Sequence, residues 1–395
     1  MSRNTILINA TNIGSKINGI GTYSLNIIKG LAKNNLEVHF VIYLNKSGKK
    51  NIEGFPFPNN FEIKWVSGLL SPDRKFLGHL LRLLYSNYLS IKYPRHLQFN
   101  TSPLEVCFFK SNQIVTVHDI IPILFKQFHK KQYLFYRIIL KYVLRNVRMI
   151  ITPSIHTKKL LLKYYKLSDE KIQAIPLGVE KHCIKDLRGN KTLSPYILYV
   201  GRMNKMKNIY GIVKSFIIAS RSMKVDLVIV GDSKILLLKL LDELNCSEEV
   251  RKRIIFLENV GENEKYCLMK NALLFIYPTC YEGFGLPPLE AMQSGCPVIT
   301  SNNSTLPEVC GDAAYYVNPN NENEIAESIV DILSNDRLRK KLILNGLQRA
   351  KIFSWEKTSF EHLKIIEGIL LPLNLLRNYE SNKLEPLIQE GTILD

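Results

Sequence analysis

The sequence predicts an α/β protein built from two doubly wound parallel sheets, and three observations lead there. The chain has 395 residues, more than one ordinary core organises, which points to about two domains. Short Val/Ile/Leu/Tyr-rich runs alternate with longer helical patterns along the whole length, the grammar of βαβ units. A polar, proline-bounded stretch, "GVEKHCIKDLRGNKTLSP" (residues 178–195), interrupts that alternation near the middle. The expected organisation is a first domain over 1–180, a linker over 181–194, a second domain over 195–354, and a helical segment over 355–395 that packs back on the first domain.

The first half carries the strand candidates "TILINAT", "EVHFVIYL", "FEIKWV", "HLQFN", "QIVTVHD" and "MIITPS". The second half carries "YILYVGR", "DLVIVGD", "RIIFLENV", "LLFIYPT", "PVITS" and "AAYYVNP". Strands of a parallel sheet are covered on both faces, so they read as near-continuous apolar runs, and these do. The segment Arg74 to His96 mixes Leu, Tyr and basic residues at helical spacing. It fits a packed surface helix, or one that touches a membrane.

Composition narrows the class. Hydrophobic residues make up 46% and charged residues 22%, as in ordinary soluble domains. The run "IIEGILLPLNLL" (365–376) contains a Glu and a Pro and falls short of the ~20 residues of a membrane span. "TILINATNIG" near the start lacks the basic and long apolar regions of a secretory leader, so a cytoplasmic protein is expected. The seven cysteines include no C-x-x-C pair and read as buried free thiols. No H-E-x-x-H or D-x-D pattern suggests a metal. The net charge of +18 is unevenly placed: residues 1–190 hold 29 Lys+Arg against 10 Asp+Glu, a balance of +19, while 191–395 hold 24 against 25. That asymmetry calls for an anionic partner on the first half: a lipid headgroup, a diphosphate or a nucleic acid.

In open α/β sheets ligands bind beyond the carboxyl ends of strands, so the residues that follow strands are the informative ones. After the first strand, "NGIGTYSL" places Gly19 and Gly21 before a helix expected near Thr22, whose first N–H groups would be open; a plain tight turn fits equally. "VTVHDIIP" puts His118 and Asp119 at a strand end, where a histidine can donate to a sugar hydroxyl or simply be structural. "YVGRMNKMKN" puts Arg202 and Lys207 five positions apart after a strand, a pair suited to a diphosphate or a solvated basic loop. "YEGFGLPPLE" brackets two glycines with Glu282 and Glu290, eight positions apart. A helix beginning at the proline pair and ending at Gly295 would set Glu290 in its first turn and Glu282 in the loop before it. Carboxylates accept paired hydrogen bonds from vicinal diols, which suits the two sugars of a nucleotide-sugar; for Glu290 a simple capping role is the plainer reading.

With those motifs in hand, the chain resembles the retaining glycosyltransferases of family four. "EGFGLPPLEAM" matches the E-x7-E motif of that family without a gap. "NGIGTY", "VTVHDIIP", "ITPSIHTKKLL", "IPLGVE", "YVGRMNKMKN", "LVIVGD", "SNNSTLPEVCGDAAYYVNP" and "FSWEKT" accompany it in order, over roughly residues 5–370. The resemblance implies the GT-B fold, two Rossmann-like domains facing across a cleft. It further implies that Arg202 and Lys207 bind the donor diphosphate, that Glu290 holds the ribose, and that Glu282 holds the transferred sugar. The amides of Gly283, Phe284, Gly285 and Leu286 would line sugar and phosphate, His118 would sit near the reacting carbon, and Gly19 and Gly21 would face the donor. No cofactor or metal is implied; the nucleotide-sugar is a co-substrate. Asp232, after "VIVG", lies where the family varies and receives no role.

The expected activity is retaining transfer of a hexose, mannose from GDP-mannose first, to a glycan or polyprenyl-linked acceptor in bacterial polysaccharide or lipopolysaccharide synthesis. Rhamnosyl or glucosyl transfer, and a phosphorylase or sugar-nucleotide epimerase of the same fold, are the alternatives. A nucleic-acid partner lacks any recognition motif. The basic first half, with Arg74, Lys75, Arg82, Tyr85, Tyr88 and Lys92, is expected to dock on an anionic membrane surface at the inner face of the cell membrane.

Overall fold

The computed structural model describes residues 5–34, 38–180 and 194–370. Two sheets organise them. The first contains β1 (Thr5–Asn9), β2 (His39–Asn45), β3 (Phe61–Val66), β4 (Leu97–Asn100), β5 (Gln113–Thr116), β6 (Met149–Thr152) and β7 (Ile172–Ala174), in the order β3-β2-β1-β4-β5-β6-β7. The second contains β8 (Tyr196–Val200), β9 (Asp226–Val230), β10 (Ile254–Leu257), β11 (Leu274–Tyr277), β12 (Val298–Ser301) and β13 (Tyr315–Val317), in the order β10-β9-β8-β11-β12-β13. All five pairings of the second sheet are parallel, as are β1 with β2 and β4, β2 with β3, and β6 with β7.

All twelve expected strands form. The thirteenth, β7, is three residues long, has an exposed Gln173 at its centre and is closed by Pro176 two residues on, so it makes no apolar run. The chain resolves into two compact units, residues 1–114 with 355–395, and residues 115–354. Of the segment expected as a linker, residues 181–193 lie outside the described residues, and so does Cys183. The remaining cysteines are free: Cys107, Cys246, Cys296 and Cys310 are buried, whereas Cys267 and Cys280 are only partly so.

In the first unit the helix Gly19–Ala32 lies against the helix Trp355–Leu370. A Cβ on Gly30 would stand 2.4 Å from the Ser359 side chain, and the Tyr23 hydroxyl and His362 Nε2 share a 2.7 Å hydrogen bond. The first of these helices starts at Gly19, earlier than expected, because the Asn18 side chain caps it. Asn18 Oδ1 accepts from the Gly21 N–H at 3.0 Å, so that donor is already occupied.

The segment after Arg74 is the helix Lys75–Lys92. Its Arg82 does not face outward as expected. It is 1% exposed, its Nε donates to Glu105 Oε1 at 2.8 Å, and a second nitrogen donates to the Leu70 carbonyl. A guanidinium survives burial when its fork is satisfied in this way. The outward face is instead apolar, with Phe76, Leu77, Leu80, Leu84, Tyr88 and Ile91 exposed.

Candidate functional site

The order of the second sheet reverses direction between β8 and β11, and the crevice at such a switch point is where ligands bind in open α/β sheets. The loops after those two strands carry the Arg202/Lys207 and Glu282/Glu290 pairs, and hydrogen bonds join them. The Cys280 N–H donates to the Met206 carbonyl at 2.9 Å. Asn208, in the left-handed region at φ 54°, caps the helix Ile209–Ala219 with its side-chain oxygen. Its Nδ2 donates to the carbonyls of Pro278 (2.9 Å) and Pro319 (2.6 Å), tying the β8 loop to the ends of β11 and β13. Asp232, given no role by the sequence, anchors the β8 loop from the end of β9, where its Oδ1 accepts from the Met203 N–H at 2.8 Å.

Lys207 reaches across this join. Its Nζ lies 2.5 Å from Glu282 Oε1 and 5.6 Å from the centre of the Tyr277 ring. Glu282 is 8% exposed. Tyr277, buried at the end of β11, is held well above its ordinary pKa by burial first, then by Glu282, with a further push from Glu290. Both carboxylates are therefore electrostatic neighbours of one phenol. Arg202 is exposed, and its carbonyl accepts from the Tyr199 hydroxyl at 2.8 Å.

The loop 278–285 is shaped by close approach. A Cβ on Gly283 would stand 2.4 Å from the carbonyl oxygen of His118, so only glycine lets these backbones meet. His118 and Asp119, at the end of β5, are brought to this loop in that way. The Asp119 carboxyl is pushed up by burial, against the Ile121 N–H that it accepts, and Glu282 adds to the push. Ser154 Oγ donates to the Gly283 carbonyl at 3.2 Å. From the loop after β12, Ser304 Oγ accepts from the Glu282 N–H at 3.2 Å, and Thr305 Oγ1 donates to the Phe284 carbonyl at 2.8 Å. The side chain of Phe284 is core, 5.9 Å from Phe353 centre to centre, so its backbone alone is available to a ligand.

Gly285, at φ 106°, turns the chain into the helix Leu286–Gln293. Because the left-handed glycine serves as the cap, the helix starts one residue before the proline pair, and Glu290 is its fifth residue. Glu290 thus lies in the second turn, not the first, and caps nothing. At the other end Gly295 closes the helix as expected: its N–H donates to the Met292 carbonyl and that of Cys296 to the Ala291 carbonyl. Glu290 has a partner that the sequence did not suggest. Lys265, on the helix Glu262–Asn271, sets its Nζ 3.0 Å from Glu290 Oε1. The four neighbours Ser304, Thr305, Asp232 and Lys265 hold the proposed ligand-binding residues in place. Gly19 and Gly21 lie in the other unit, in the first turn of the helix that follows β1, the strand at which the order of the first sheet reverses.

Two lysine–carboxylate pairs thus lie around the switch point of a Rossmann-ordered sheet, the place where open α/β sheets bind their ligands. Comparison with known proteins gives the family. Residues 184–349 match the glycosyl transferases group 1 family, and residues 17–182 match glycosyltransferase family 4. The chain belongs to this family of glycosyltransferases. It is 33% identical over 222 residues, 56% of this chain, to the O-antigen chain mannosyltransferase RfbU of Salmonella typhimurium. It is 30% identical over 258 residues, 62% of this chain, to an O-antigen chain mannosyltransferase B of Escherichia coli. The aligned parts span 61% and 67% of those two relatives. Among solved structures, a sucrose-phosphate synthase from Thermosynechococcus elongatus superposes with a TM-score of 0.74 at 19% identity, covering 93% of this chain and 99% of that one. WaaG, a glycosyltransferase involved in lipopolysaccharide biosynthesis, superposes with a TM-score of 0.71 at 17% identity, covering 92% of this chain and 100% of that one. The fold is GT-B.

Proposed function

We propose that the protein is a retaining hexosyltransferase that moves mannose from GDP-mannose to a glycan or polyprenyl-linked acceptor in bacterial surface-polysaccharide synthesis. The observation that carries this reading is the Lys207–Glu282 pair at the switch point, and the O-antigen mannosyltransferases among the relatives support the choice of sugar. Lys207 and Arg202 bind the donor diphosphate, Glu282 the hydroxyls of the transferred sugar, and Glu290 the ribose. The backbone of 283–286 lies along sugar and phosphate. His118 stands near the reacting carbon, and Gly19 and Gly21 face the donor.

In the reaction the bond from the anomeric carbon to the diphosphate oxygen breaks, and the acceptor oxygen bonds to that carbon on the same face. The acceptor proton passes to the departing diphosphate. Charge grows on the leaving group as this happens, so the fixed cations matter most in the transition state. No metal is required in this reading, and transfer is expected to proceed in excess EDTA; activity lost in chelator and restored by Mg²⁺ or Mn²⁺ would overturn that part.

Thermal unfolding across a panel of nucleotide-sugars tests the donor, since a ligand at 100 times its Kd adds about 2.7 kcal/mol. GDP-mannose should stabilise most. A larger shift with a dTDP- or UDP-sugar would move the assignment to rhamnosyl or glucosyl transfer. A product formed without an acceptor alcohol would favour the epimerase or phosphorylase.

In this reading the protein also docks on an anionic membrane surface, through its basic half. A stretch with no acidic residue, 120–168, contains eleven Lys and Arg. Within it Leu134, Ile138, Ile139 and Tyr142 are exposed beside exposed Lys130, Lys131, Arg137 and Arg145. Each basic residue near an anionic bilayer contributes ~1 kcal/mol. Liposome flotation at low salt should favour anionic over neutral vesicles; equal recovery with both would end the membrane reading and leave the transferase reading intact.

A further inference from the structure

Glu290 is held from one side by a residue outside every motif of the sequence. Lys265, the fourth residue of the helix Glu262–Asn271, places its Nζ 3.0 Å from Glu290 Oε1 and 2.8 Å from Glu262 Oε2. The two ends of this bridge differ. The Lys265 and Glu290 side chains are 13% and 14% exposed, whereas that of Glu262 is 72% exposed. The Lys265 ammonium lies 4.6 Å from the centre of the Tyr266 ring, which fixes its stem. Burial pulls the lysine down, but Glu290 and then Glu262 outweigh it and keep it above its ordinary pKa, so it stays charged.

We propose that Lys265 is the positioning residue for Glu290: it fixes the carboxylate and cancels its charge, so that Glu290 can receive the ribose diol of a nucleoside diphosphate without repelling the phosphates. The inference rests on the reading in which Glu290 holds the ribose. Its physical basis is the conflict inside that reading. A carboxylate is a good acceptor for two hydroxyls but a poor neighbour for a diphosphate, because like charges in a partly buried site repel strongly. A lysine behind the carboxylate removes the second effect and keeps the first, since an ionised carboxylate has about four acceptor positions, of which Lys265 uses one and the Tyr266 hydroxyl another. Glu262, on the solvent side, contributes little because its charge is screened.

Titration calorimetry on the full chain tests this, using whichever of the ribonucleotides GDP, UDP and ADP binds the wild type. Lys265→Met and Glu290→Gln should each weaken binding about tenfold, which corresponds to about 1.4 kcal/mol. The double variant should bind no more weakly than Glu290→Gln alone, because Lys265 acts through Glu290. In transfer assays Lys265→Met should raise KM for the donor and leave kcat within about twofold. Lys265→Arg should recover most of the affinity, and Glu262→Gln should bind like the wild type. A Lys265→Met effect of equal size in both backgrounds would overturn the inference, as would a normal affinity of Lys265→Met beside a weakened Glu290→Gln. Normal affinity of Glu290→Gln itself would instead overturn the ribose reading of Glu290, a distinct result.

Discussion

The two sheets use the carboxyl ends of their strands in opposite ways. In the first, three adjacent strands β2, β1 and β4 end in asparagines: Asn45, Asn9 and Asn100. All are buried, and each side chain is spent on its own scaffold. Asn45 Nδ2 donates to the carbonyls of Thr11 and Ile13, Asn9 Oδ1 accepts from Thr11, and Asn100 Nδ2 donates to Gln113 Oε1. The buried ion pair there, Arg82 with Glu105, is sealed, with side chains 2% and 0% exposed. In the second sheet the segments after the strands carry charges that remain reachable: the side chains of Lys207 and Glu282 are 23% and 11% exposed, and those of Lys265 and Glu290 are 13% and 14%. A neutral amide bonded to its own scaffold fixes a loop. A paired but accessible ion can trade its partner for a ligand at little desolvation cost.

The comparison can be broken most sharply at its sealed end. Arg82→Met leaves Glu105 buried without its cation, although burial already outweighs Arg82 and holds the Glu105 carboxyl above its ordinary pKa. Urea unfolding should show a loss of about 3–5 kcal/mol, while turnover per folded molecule is unchanged. A variant as stable as the wild type would refute the structural role. Lys207→Ala should behave the other way round. Its kcat should fall on the order of 10²-fold, the usual effect of removing one group that stabilises transition-state charge, with a smaller loss of stability than Arg82→Met. Unchanged kinetics would reject the diphosphate assignment.

The smallest effect is a pH dependence in the first unit. His79 beside Arg82 is lowered to about 4, by burial first and by the Arg82 charge second. The unfolded chain binds a proton near pH 6.5 and the folded chain does not, so this group's contribution is full above that pH. It is lost as pH falls from 6.5 through 4. His79→Gln should flatten the fall in Tm across that window; a parallel curve would place the dependence on another group.

Strand positions were legible because burial on both faces leaves a continuous apolar run, and β7 escaped because three residues around a glutamine leave none. The candidate site was legible where glycines and charges follow strands, as with Gly283 and Lys207. Its supports were not. Lys265 sits in "ENEKYCLMKN", where a lysine among glutamates on a helix looks like any solvated face. Asp232 gave no signal, since a turn aspartate and a loop anchor are spelled alike. Arg82 misled for the reverse reason: a basic residue among leucines and tyrosines looks like an outward-facing one, and only the fold brings Glu105 beneath it, 23 residues on.

Asn208 carries a consequence for motion. One amide side chain bonds to the ends of β11 and β13 while capping the helix that follows β8. The three loops do not loosen one at a time around it, because opening any of them leaves a partly buried donor or acceptor of the same residue without its partner. Their backbone amides should exchange with solvent deuterium as one cooperative group with a shared opening free energy, above that of surface turns and below that of the β8–β11 strands. Occupation of the crevice would then slow exchange at Pro319's neighbours as well as at Lys207, although no sugar or phosphate need touch the end of β13.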